Sequence, residues 1–328
     1  MTTTIRWGIL ATGWIAELFV KDLLLTGHHV TAVGSRSQAK ADQFAKAFGI
    51  PVAHGSYEAL VADPNVDIIY IATPHPQHAA AAKLALNAGK HILVEKAFTL
   101  NAIEAAEVVD LAQSKGLVAM EAMWTRFLPH MLRLREIIAV GTLGQIRSVT
   151  ADHRQSLPDD PAHRLNDLAL GGGALLDLGI YPISFTWDIL GKPAVIKATA
   201  SFRETGADVQ VATVFSYASG AMATTLSASD SAGPNRAAVV GTKGRIDIDR
   251  VWYAPTTFTV YDNANTVIEQ FDGSVQGRGM QFQADEAERL IKAGLTSGTI
   301  LPAAETVQIM QTLDEIRAQI GLRYPQEG

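Results

Sequence analysis

Residues 90–101 of the chain read KHILVEKAFTLN. The run Ile92-Leu93-Val94 is apolar and predicts a short buried strand, and the charged pair Glu95 and Lys96 stands where that strand ends. In an open parallel sheet, ligands bind at the carboxyl ends of the strands, so a lysine there can project into a binding crevice. Glu95 and Lys96 are equally explained as charges that mark where the strand meets solvent. The rest of the chain has to decide between these two interpretations.

Length and composition predict a globular protein of two domains. A chain of 328 residues is long for one core, and 48% hydrophobic residues against 18% charged residues provide ample apolar surface to bury. The net charge of −6 argues against nucleic acid or an anionic membrane as the main partner, because both require basic surface. The absence of cysteine excludes disulfides, thiolate metal sites and a cysteine nucleophile.

The amino-terminal residues, MTTTIRWGIL, lead directly into the first predicted strand, without a separate cationic and apolar leader. No apolar run approaches the roughly 18 to 20 residues that span a bilayer. We therefore expect a cytoplasmic protein with no membrane partner.

The first third of the chain alternates between strand and helix patterns. Residues 11–16, between the first strand and the first helix, read Ala-Thr-Gly-Trp-Ile-Ala and fit the dinucleotide-binding pattern G-x-G-x-x-G/A, with alanine in place of the first glycine. The middle glycine would let a pyrophosphate approach the helix start, where unpaired N–H groups favour anions. An ordinary strand-to-helix turn is the alternative. The candidate cofactor contacts in this turn are Ala11, Thr12, Gly13, Trp14 and Ile15.

The second strand pattern, residues 28–37, ends in Gly-Ser-Arg-Ser. Dinucleotide folds that take NAD usually place an acidic residue at this tip to hold the ribose hydroxyls. Ser35 and Arg36 instead suit a 2′-phosphate and leave no carboxylate to repel it. NADP is therefore the favoured cofactor, with NAD still possible, and a solvated loop arginine is the alternative.

The strand pattern of residues 66–73 is followed by the prolines and histidines of TPHPQH, where the prolines end the strand and introduce a helix. Thr73, Pro74 and His78 are candidate cofactor contacts. His75 and His78 have no third ligand nearby in the sequence, so we expect no metal. Six such strands with crossover helices predict a doubly wound parallel sheet, a Rossmann domain of residues 1–122.

Residues 123–328 predict a second, α+β domain for substrate binding and dimerisation. After one helix and one strand the chain is mostly alternating strand patterns separated by turn residues, and no crossover helices lie between them, so a mostly antiparallel open sheet is expected. One of its faces is a predicted surface for a homodimer or higher oligomer. The predicted strands that follow the first are residues 195–203, 209–217, 221–229, 237–249, 256–262 and 266–272.

Residues 171–190, GGGALLDLGIYPISFTWDIL, form the second informative stretch. Three glycines precede a predicted helix that carries Asp177 and Tyr181 four residues apart, and therefore on one face. Their neighbours are almost wholly apolar, and a buried aspartate without a partner costs several kcal/mol. The alternative is an aspartate that caps local backbone beside a tyrosine of the core.

These motifs, taken together and in this order, resemble the glucose-fructose oxidoreductase and inositol dehydrogenase family (Gfo/Idh/MocA). The resemblance covers essentially the whole chain, and the segments EAMWTRFLP and GGGALLDLGIY look most like its dimeric dihydrodiol dehydrogenase and NADP-dependent xylose dehydrogenase branch. Ala97 stands where the family more commonly has proline, and Ala11 where it has the first glycine. Tyr181 stands where inositol dehydrogenases often have histidine.

The resemblance implies that Lys96, Asp177 and Tyr181 meet at the nicotinamide. A phenol is a poor base at neutral pH, but an adjacent ammonium stabilises the phenolate. Lys96 would polarise the substrate oxygen, Tyr181 would exchange the proton and Asp177 would orient them, with Lys96 as the direct proton carrier a variant. Glu95 would support the lysine or the cofactor. Arg126, His153, Arg164 and Asn166 are candidate contacts to substrate hydroxyls, or alternatively loop and interface residues.

The leading hypothesis is an NADP-dependent oxidoreductase that acts on a polyhydroxylated small molecule, such as a sugar or cyclic diol. The alternatives are a reductase of a keto-sugar, possibly nucleotide-linked, and a non-catalytic sensor that binds NADP. Retention of all three catalytic candidates favours an enzyme. The sequence names neither the substrate nor the direction of the reaction.

Overall fold

The computed structural model describes residues 4–327; Met1–Thr3 of the amino-terminal stretch and Gly328 lie outside the described residues. The chain divides into two compact units. The first runs to Trp124 and also includes Gln276–Met310, and the second comprises Thr125–Val275 and the chain from Gln311. The sequence analysis divided the chain after residue 122 and so assigned Gln276–Met310 to the second domain, whereas in the structure this segment belongs to the first unit.

Strands and helices alternate along the first unit, whereas strands dominate the second. In chain order the strands are β1 Arg6–Leu10, β2 His29–Gly34, β3 Val52–His54, β4 Ile68–Ile71, β5 His91–Glu95, β6 Ala119–Ala122, β7 Ile146–Arg154, β8 Val195–Phe202, β9 Asp208–Ser216, β10 Met222–Ala228, β11 Ala237–Gly241, β12 Gly244–Ile248, β13 Thr257–Asp262 and β14 Val267–Asp272. The helices are α1 Trp14–Leu25, α2 Gln38–Phe48, α3 Tyr57–Val61, α4 His78–Asn87, α5 Ala102–Ser114, α6 Pro129–Ala139, α7 Ile180–Leu190, α8 Gln281–Ala293 and α9 Ala303–Ile320.

The first unit is a doubly wound parallel sheet of six strands in the order β3-β2-β1-β4-β5-β6. Its central strands are buried on both faces, which explains their unbroken apolar runs, since helices cover both sides of such a sheet. The strand order reverses between β1 and β4, so a crevice forms beyond their carboxyl ends. The predicted Rossmann fold is confirmed.

The helix α8 packs with this sheet although it is far away in sequence. Trp7 of β1 donates its ring N–H to Glu288 of α8 over 3.0 Å. The buried carboxylate of Asp22 on α1 accepts from the backbone N–H groups of Arg278 and Met280. Because these contacts link distant residues, the pattern of strands and helices along the chain did not indicate them.

The second unit carries an eight-stranded sheet in the order β14-β13-β12-β11-β7-β10-β9-β8. Every neighbouring pair is antiparallel except β7 and β10, which are parallel. The predicted mostly antiparallel open sheet is therefore confirmed. The prediction of one strand over residues 237–249 is wrong, because Thr242 and Lys243 form a tight turn between β11 and β12. That turn lacks the Asn-Gly or Asp-Gly signal by which short hairpins are usually found.

The segment Leu168–Leu190 corrects the expectation about apolar runs. By length and hydropathy it could cross a bilayer, but 83% of the relevant window is buried. It ends in α7, which packs against β7 and β10. A core helix covered on all sides is apolar all round, and this explains the composition without a membrane.

Candidate functional site

The glycine turn of the first unit leaves the start of α1 open. Ala11 takes the left-handed conformation that the replaced glycine would have, with φ 82°, and its N–H donates to the Gly34 carbonyl. Gly13 precedes α1 at φ −78°, and a Cβ added there would meet no protein atom within 4 Å. Neither backbone conformation nor packing against the protein therefore requires glycine at this position. Close approach of a phosphate to the helix start does require it, so the turn fits a dinucleotide.

The tip of β2 carries a serine and an arginine, Ser35 and Arg36, in place of the acidic residue usual in NAD-binding folds. Ser35 is buried, and Arg36 is exposed and interacts with the hydroxyl of Tyr57. Burial raises the pKa of Tyr57, and Arg36 opposes that shift. Residues 35–37 contain no carboxylate, and Ser37 caps α2 by accepting a hydrogen bond from Lys40.

The backbone around Lys96 is held by residues of the neighbouring strand β4 and the turn after it. Tyr70 of β4 donates its hydroxyl to the buried carboxylate of Glu95. The Nε2 atom of His75 lies 3.1 Å from the Lys96 carbonyl oxygen. On the other side, the Phe98 N–H donates to Glu121 of β6 over 3.1 Å. The half-buried Lys96 therefore stands on a rigid segment at the carboxyl edge of the sheet.

His78 has a supporting position within the first unit. Its ring is 1% exposed, with Nε2 2.7 Å from the Thr73 carbonyl oxygen and Nδ1 3.0 Å from that of Ala97. Burial, with His75 as the next cause, lowers the pKa of His78 to about 3, although the carbonyl oxygens at both ring nitrogens oppose that shift. The ring ties the end of β4 to the segment after Lys96. Pro74 is half-buried and precedes the short 3₁₀ turn His75–Gln77, which leads from β4 into α4.

In the second unit, the backbone conformation and the packing of the protein itself require glycine at residues 171–173. Gly171 has φ 70° and ends a short 3₁₀ turn, and a Cβ at Gly172 would lie 2.8 Å from the backbone of Asp167. Gly173 has φ 128°, and a Cβ there would lie 2.0 Å from Asp208 Oδ1. The other Asp208 oxygen accepts from the Leu175 N–H over 2.6 Å, which caps the helical segment that follows.

Asp177 and Tyr181 lie on this segment, close to its start. The predicted continuous α-helix differs from the structure, because Leu175–Gly179 form a π-helical turn before α7 begins. Single π turns are frequent at functional sites. Asp177 is 9% exposed, and its Oδ1 lies 3.3 Å from Nη2 of Arg164, a half-exposed side chain. The predicted need of this aspartate for a partner is therefore met within the second unit.

Tyr181 belongs to an aromatic cluster that we define as His153, Tyr181 and Tyr253. The His153 ring is stacked on Tyr253 at 3.8 Å and meets Tyr181 edge-on at 4.9 Å between centroids. The side-chain nitrogen of Gln155 lies 2.8 Å from His153 Nε2. Burial, and next the neighbouring Tyr181, raises the pKa of Tyr253 to about 12, so that phenol stays protonated at neutral pH. The cluster presents aromatic rings with polar atoms at their edges.

The other two candidate substrate contacts are engaged in the structure of the second unit. Arg126 is 3% exposed; it donates to Ser184 and pairs with Asp188 over 3.0 Å, which ties it to α7. Asn166 is 1% exposed and donates to the carbonyl oxygens of Pro158 and Asp160, which shapes the loop before the glycines. The structure brings neither of them into the aromatic cluster.

Sequence reasoning missed several residues of both units. Tyr253 follows Trp252 in a short loop between strands, and this aromatic pair was the available signal. His75 was considered only as a metal ligand. Asp208, at the first position of β9, had no signal in the sequence, since its role depends on a contact with residues 173–175 far away along the chain.

Three comparisons place the chain among known proteins. Residues 5–123 match the oxidoreductase family with an NAD-binding Rossmann fold (GFO_IDH_MocA), and residues 131–247 match the GFO/IDH/MocA C-terminal domain. Trans-1,2-dihydrobenzene-1,2-diol dehydrogenase of Mus musculus is 39% identical, with 98% of this chain and 99% of that protein covered. D-xylose 1-dehydrogenase (NADP(+)) of Hypocrea jecorina is 36% identical, with 98% and 94% covered.

Among solved structures, the 3-ketoreductase KijD10 from Actinomadura kijaniata, in complex with NADP and TDP-benzene, has a TM-score of 0.84 at 25% identity, with 97% of this chain and 98% of that chain covered. Aldose-aldose oxidoreductase from Caulobacter crescentus has a TM-score of 0.86 at 24% identity and shares the fold.

Proposed function

The chain belongs to the GFO/IDH/MocA oxidoreductase family, as the sequence motifs predicted, and on this premise we propose that it transfers a hydride between NADP and a carbinol or carbonyl carbon of a sugar or cyclic diol. The observation that carries the proposal is the turn at Gly13, a glycine that the protein's own packing does not need, in the same unit as Lys96. The relatives that act on a diol and on D-xylose support the substrate class.

The choice of NADP rests on the tip of β2. Arg36 offers a charge-assisted, two-pronged contact to a phosphate, and no carboxylate stands beside it to hold ribose hydroxyls. One relative is named for NADP, which agrees with this assignment. The cofactor contacts that we propose are those of the glycine turn, Ser35 with Arg36, and the segment Thr73–Pro74, with His78 and Glu95 as supports.

For catalysis we assign roles to Lys96, Tyr181 and Asp177. The nicotinamide, when bound, supplies or accepts the hydride. Lys96 polarises the substrate oxygen, and the Tyr181 hydroxyl exchanges the proton with that oxygen as general acid or base. Lys96 as the proton carrier is the variant of this scheme. Asp177 orients the site through its ion pair with Arg164, which gives Arg164 a place beside the substrate.

The aromatic cluster suits a substrate that is a ring with hydroxyl groups. The half-buried Tyr253 offers an aromatic surface to the apolar face of a sugar or diol ring. His153, which is 2% exposed and stacked on Tyr253, supports that ring, so we assign it a positioning role and not a direct substrate contact. We do not assign Arg126 and Asn166 to the substrate, because both are buried in structural contacts.

A reductase of a nucleotide-linked keto-sugar is the second candidate. The observation that favours it is the likeness to a 3-ketoreductase solved with NADP and TDP-benzene. The two candidates differ in the substrate that is turned over with NADPH.

The proposal is tested with a panel of D-xylose, other aldoses, inositols and trans-1,2-dihydrobenzene-1,2-diol with NADP, and of nucleotide-linked keto-sugars with NADPH, followed by NADPH fluorescence. Tyr181→Phe and Lys96→Ala should each lower kcat by roughly 10²- to 10⁴-fold while NADPH still binds. Tyr261→Phe, which removes the hydroxyl of a tyrosine on β13, is the matched control and should leave kcat unchanged. If kcat of both catalytic-site variants equals that of the parent, these roles are wrong.

The cofactor assignment has a separate test. Arg36→Ala should weaken NADPH binding by about 1.5 to 3 kcal/mol, the loss of a charge-assisted contact, and leave NADH binding unchanged. Titration of both cofactors by fluorescence measures this difference. Equal affinity of the parent protein for NADPH and NADH would contradict the assignment.

We also propose a cytoplasmic homodimer or higher homo-oligomer that pairs through the outward face of the eight-stranded sheet. That face carries Val214 and Met222, which are 38% and 49% exposed, among small and hydroxyl side chains. Exposed apolar side chains on a broad sheet face typically mark an association surface. Sedimentation of the parent and of Val214→Arg tests it, with a monomeric parent as the contrary result.

A further inference from the structure

We propose that Arg278 binds a phosphate or carboxylate group of a ligand beside the glycine turn, with the pyrophosphate of the cofactor as the favoured source and an acidic group of the substrate as the other. The inference extends the proposed function, because it adds an anion contact to the unit that holds Gly13.

The backbone of Arg278 is fixed to α1. The carboxylate of Asp22, which is 3% exposed, accepts from the Arg278 N–H at 3.1 and 3.0 Å and from the Met280 N–H at 2.9 Å. Gly277 turns the chain at φ 74°, and a Cβ there would lie 2.4 Å from Asp22 Oδ1. This short segment is therefore anchored to the helix that follows the glycine turn.

The side chain of Arg278 is exposed and lies near two indole rings. Its guanidinium carbon is 5.9 Å from the centroid of Trp14 and 5.7 Å from that of Trp124. Both distances lie within the roughly 6 Å reach of a cation–π contact. Trp14 is the first residue of α1 and is 66% exposed, so the guanidinium lies over a ring that the start of this helix carries.

The exposed guanidinium of Arg278 forms no ion pair within the part of the chain that the structure describes. Among residues 4–327, no carboxylate lies within ion-pair distance of its guanidinium, although many other arginines of those residues pair with Asp or Glu. Aromatic faces orient a guanidinium without using its N–H groups, which remain available for the two oxygens of a phosphate or carboxylate. The N–H groups at the start of α1 select the same kind of ligand. Both features therefore point to an oxyanion at one place.

Arg278→Gln removes the charge and keeps the length of the side chain. NADPH, inorganic pyrophosphate, D-xylose and D-glucuronate are the probes, and tryptophan fluorescence and calorimetry give the affinities. Arg245→Gln is the matched control, because Arg245 also lies over an aromatic ring, Tyr261, but is paired with Asp247 in the second unit. Thermal melting of each variant without ligand checks that it is folded.

We expect Arg278→Gln to weaken binding of NADPH and pyrophosphate by about ten- to one-hundred-fold, the usual effect of losing a charge-assisted contact. Arg278→Lys should bind both ligands with an affinity between those of the parent and Arg278→Gln. Arg245→Gln should bind them like the parent. If NADPH affinity stays the same and only the KM for D-glucuronate rises, with that for D-xylose unchanged, the anion belongs to the substrate. Unchanged affinity for NADPH and pyrophosphate together with an unchanged KM for D-glucuronate overturns the inference. A parent protein that binds pyrophosphate through Arg278 but does not bind NADPH contradicts the proposed function and leaves this inference standing.

Discussion

In each unit a glycine turn precedes a helical segment of the proposed site, but the two turns differ in what faces the N–H groups at the start of that segment. In the second unit the chain provides a carboxylate: Asp208 caps the segment that carries Asp177, and Gly173 makes room for it. In the first unit Gly13 leaves the start of α1 open, and an added Cβ would meet no protein atom within 4 Å. A glycine that the fold itself requires thus differs measurably from Gly13, which the fold does not require and which we propose to be kept for the cofactor.

The largest effect on stability is expected at the glycine turn of the second unit, residues 171–173. Gly173→Ala would force a left-handed conformation with φ 128° on alanine and drive Cβ to 2.0 Å from Asp208 Oδ1. Strain and overpacking together should lower the free energy of unfolding by about 2 to 5 kcal/mol. Urea unfolding followed by circular dichroism measures it, or soluble yield if the variant does not fold. A loss of unfolding free energy below about 1 kcal/mol would show that Asp208 does not pack against Gly173 as described.

The buried carboxylate of the same turn gives a pH dependence. Burial raises the pKa of Asp208 from 3.8 to about 6, although the N–H groups of Leu175 and Ala174 and the charge of Arg317 oppose the shift, and Tyr324 faces it. The folded protein holds this proton more tightly than the unfolded chain. The stability that this group contributes is therefore fully present below about pH 4 and is lost as the pH rises through 6.

Asp208→Asn isolates that contribution because asparagine does not ionise. A pKa difference of this size corresponds to on the order of 3 kcal/mol, so the stability of the variant relative to the parent should rise by up to about that amount between pH 4 and pH 7. Urea unfolding of both proteins at the two pH values tests it. A difference between them that does not change with pH would contradict the raised pKa.

A smaller effect on stability is expected at Ala11, in the glycine turn of the first unit. Ala11→Gly relieves the left-handed strain at φ 82° but gives the unfolded chain more freedom, so the net gain in unfolding free energy should be about 0.5 to 1 kcal/mol. Thermal melting detects a change of that size. A loss of stability would mean that the alanine methyl group contributes packing that outweighs the strain.

The contrast between the two turns also explains how far the sequence could predict this protein. The alternation of apolar strands and amphipathic helices predicted the Rossmann sheet, because most elements there pack on their neighbours in the chain. Gly13 and Arg36 could be proposed as cofactor contacts from the sequence because the turn and the strand tip that carry them are defined by local order along the chain. Asp208, Tyr253 and the return of α8 to the first unit depend on contacts between distant residues, and no periodic pattern carries that information.

The roles of charged residues were harder to predict than their positions. The sequence does not distinguish Arg126 from Arg164, yet Arg126 is buried against α7, whereas the half-exposed Arg164 pairs with the buried Asp177. The sequence signal at Lys96 was a charge at the end of a buried strand. The contacts around it appear only in the folded unit: Tyr70 donates to the Glu95 carboxylate, the His75 ring lies beside the Lys96 carbonyl oxygen, and Glu121 accepts from the backbone two residues further on.

The most direct test of the central claim is the dissociation constant of NADPH for Gly13→Ala, measured with the free energy of unfolding of the same variant without ligand. We predict that NADPH binds at least about ten-fold more weakly, since the new methyl group would face the pyrophosphate. The free energy of unfolding should change by less than about 1 kcal/mol, because φ is −78° and the Cβ meets no protein atom within 4 Å. An unchanged affinity for NADPH would contradict the assignment of this turn to the cofactor.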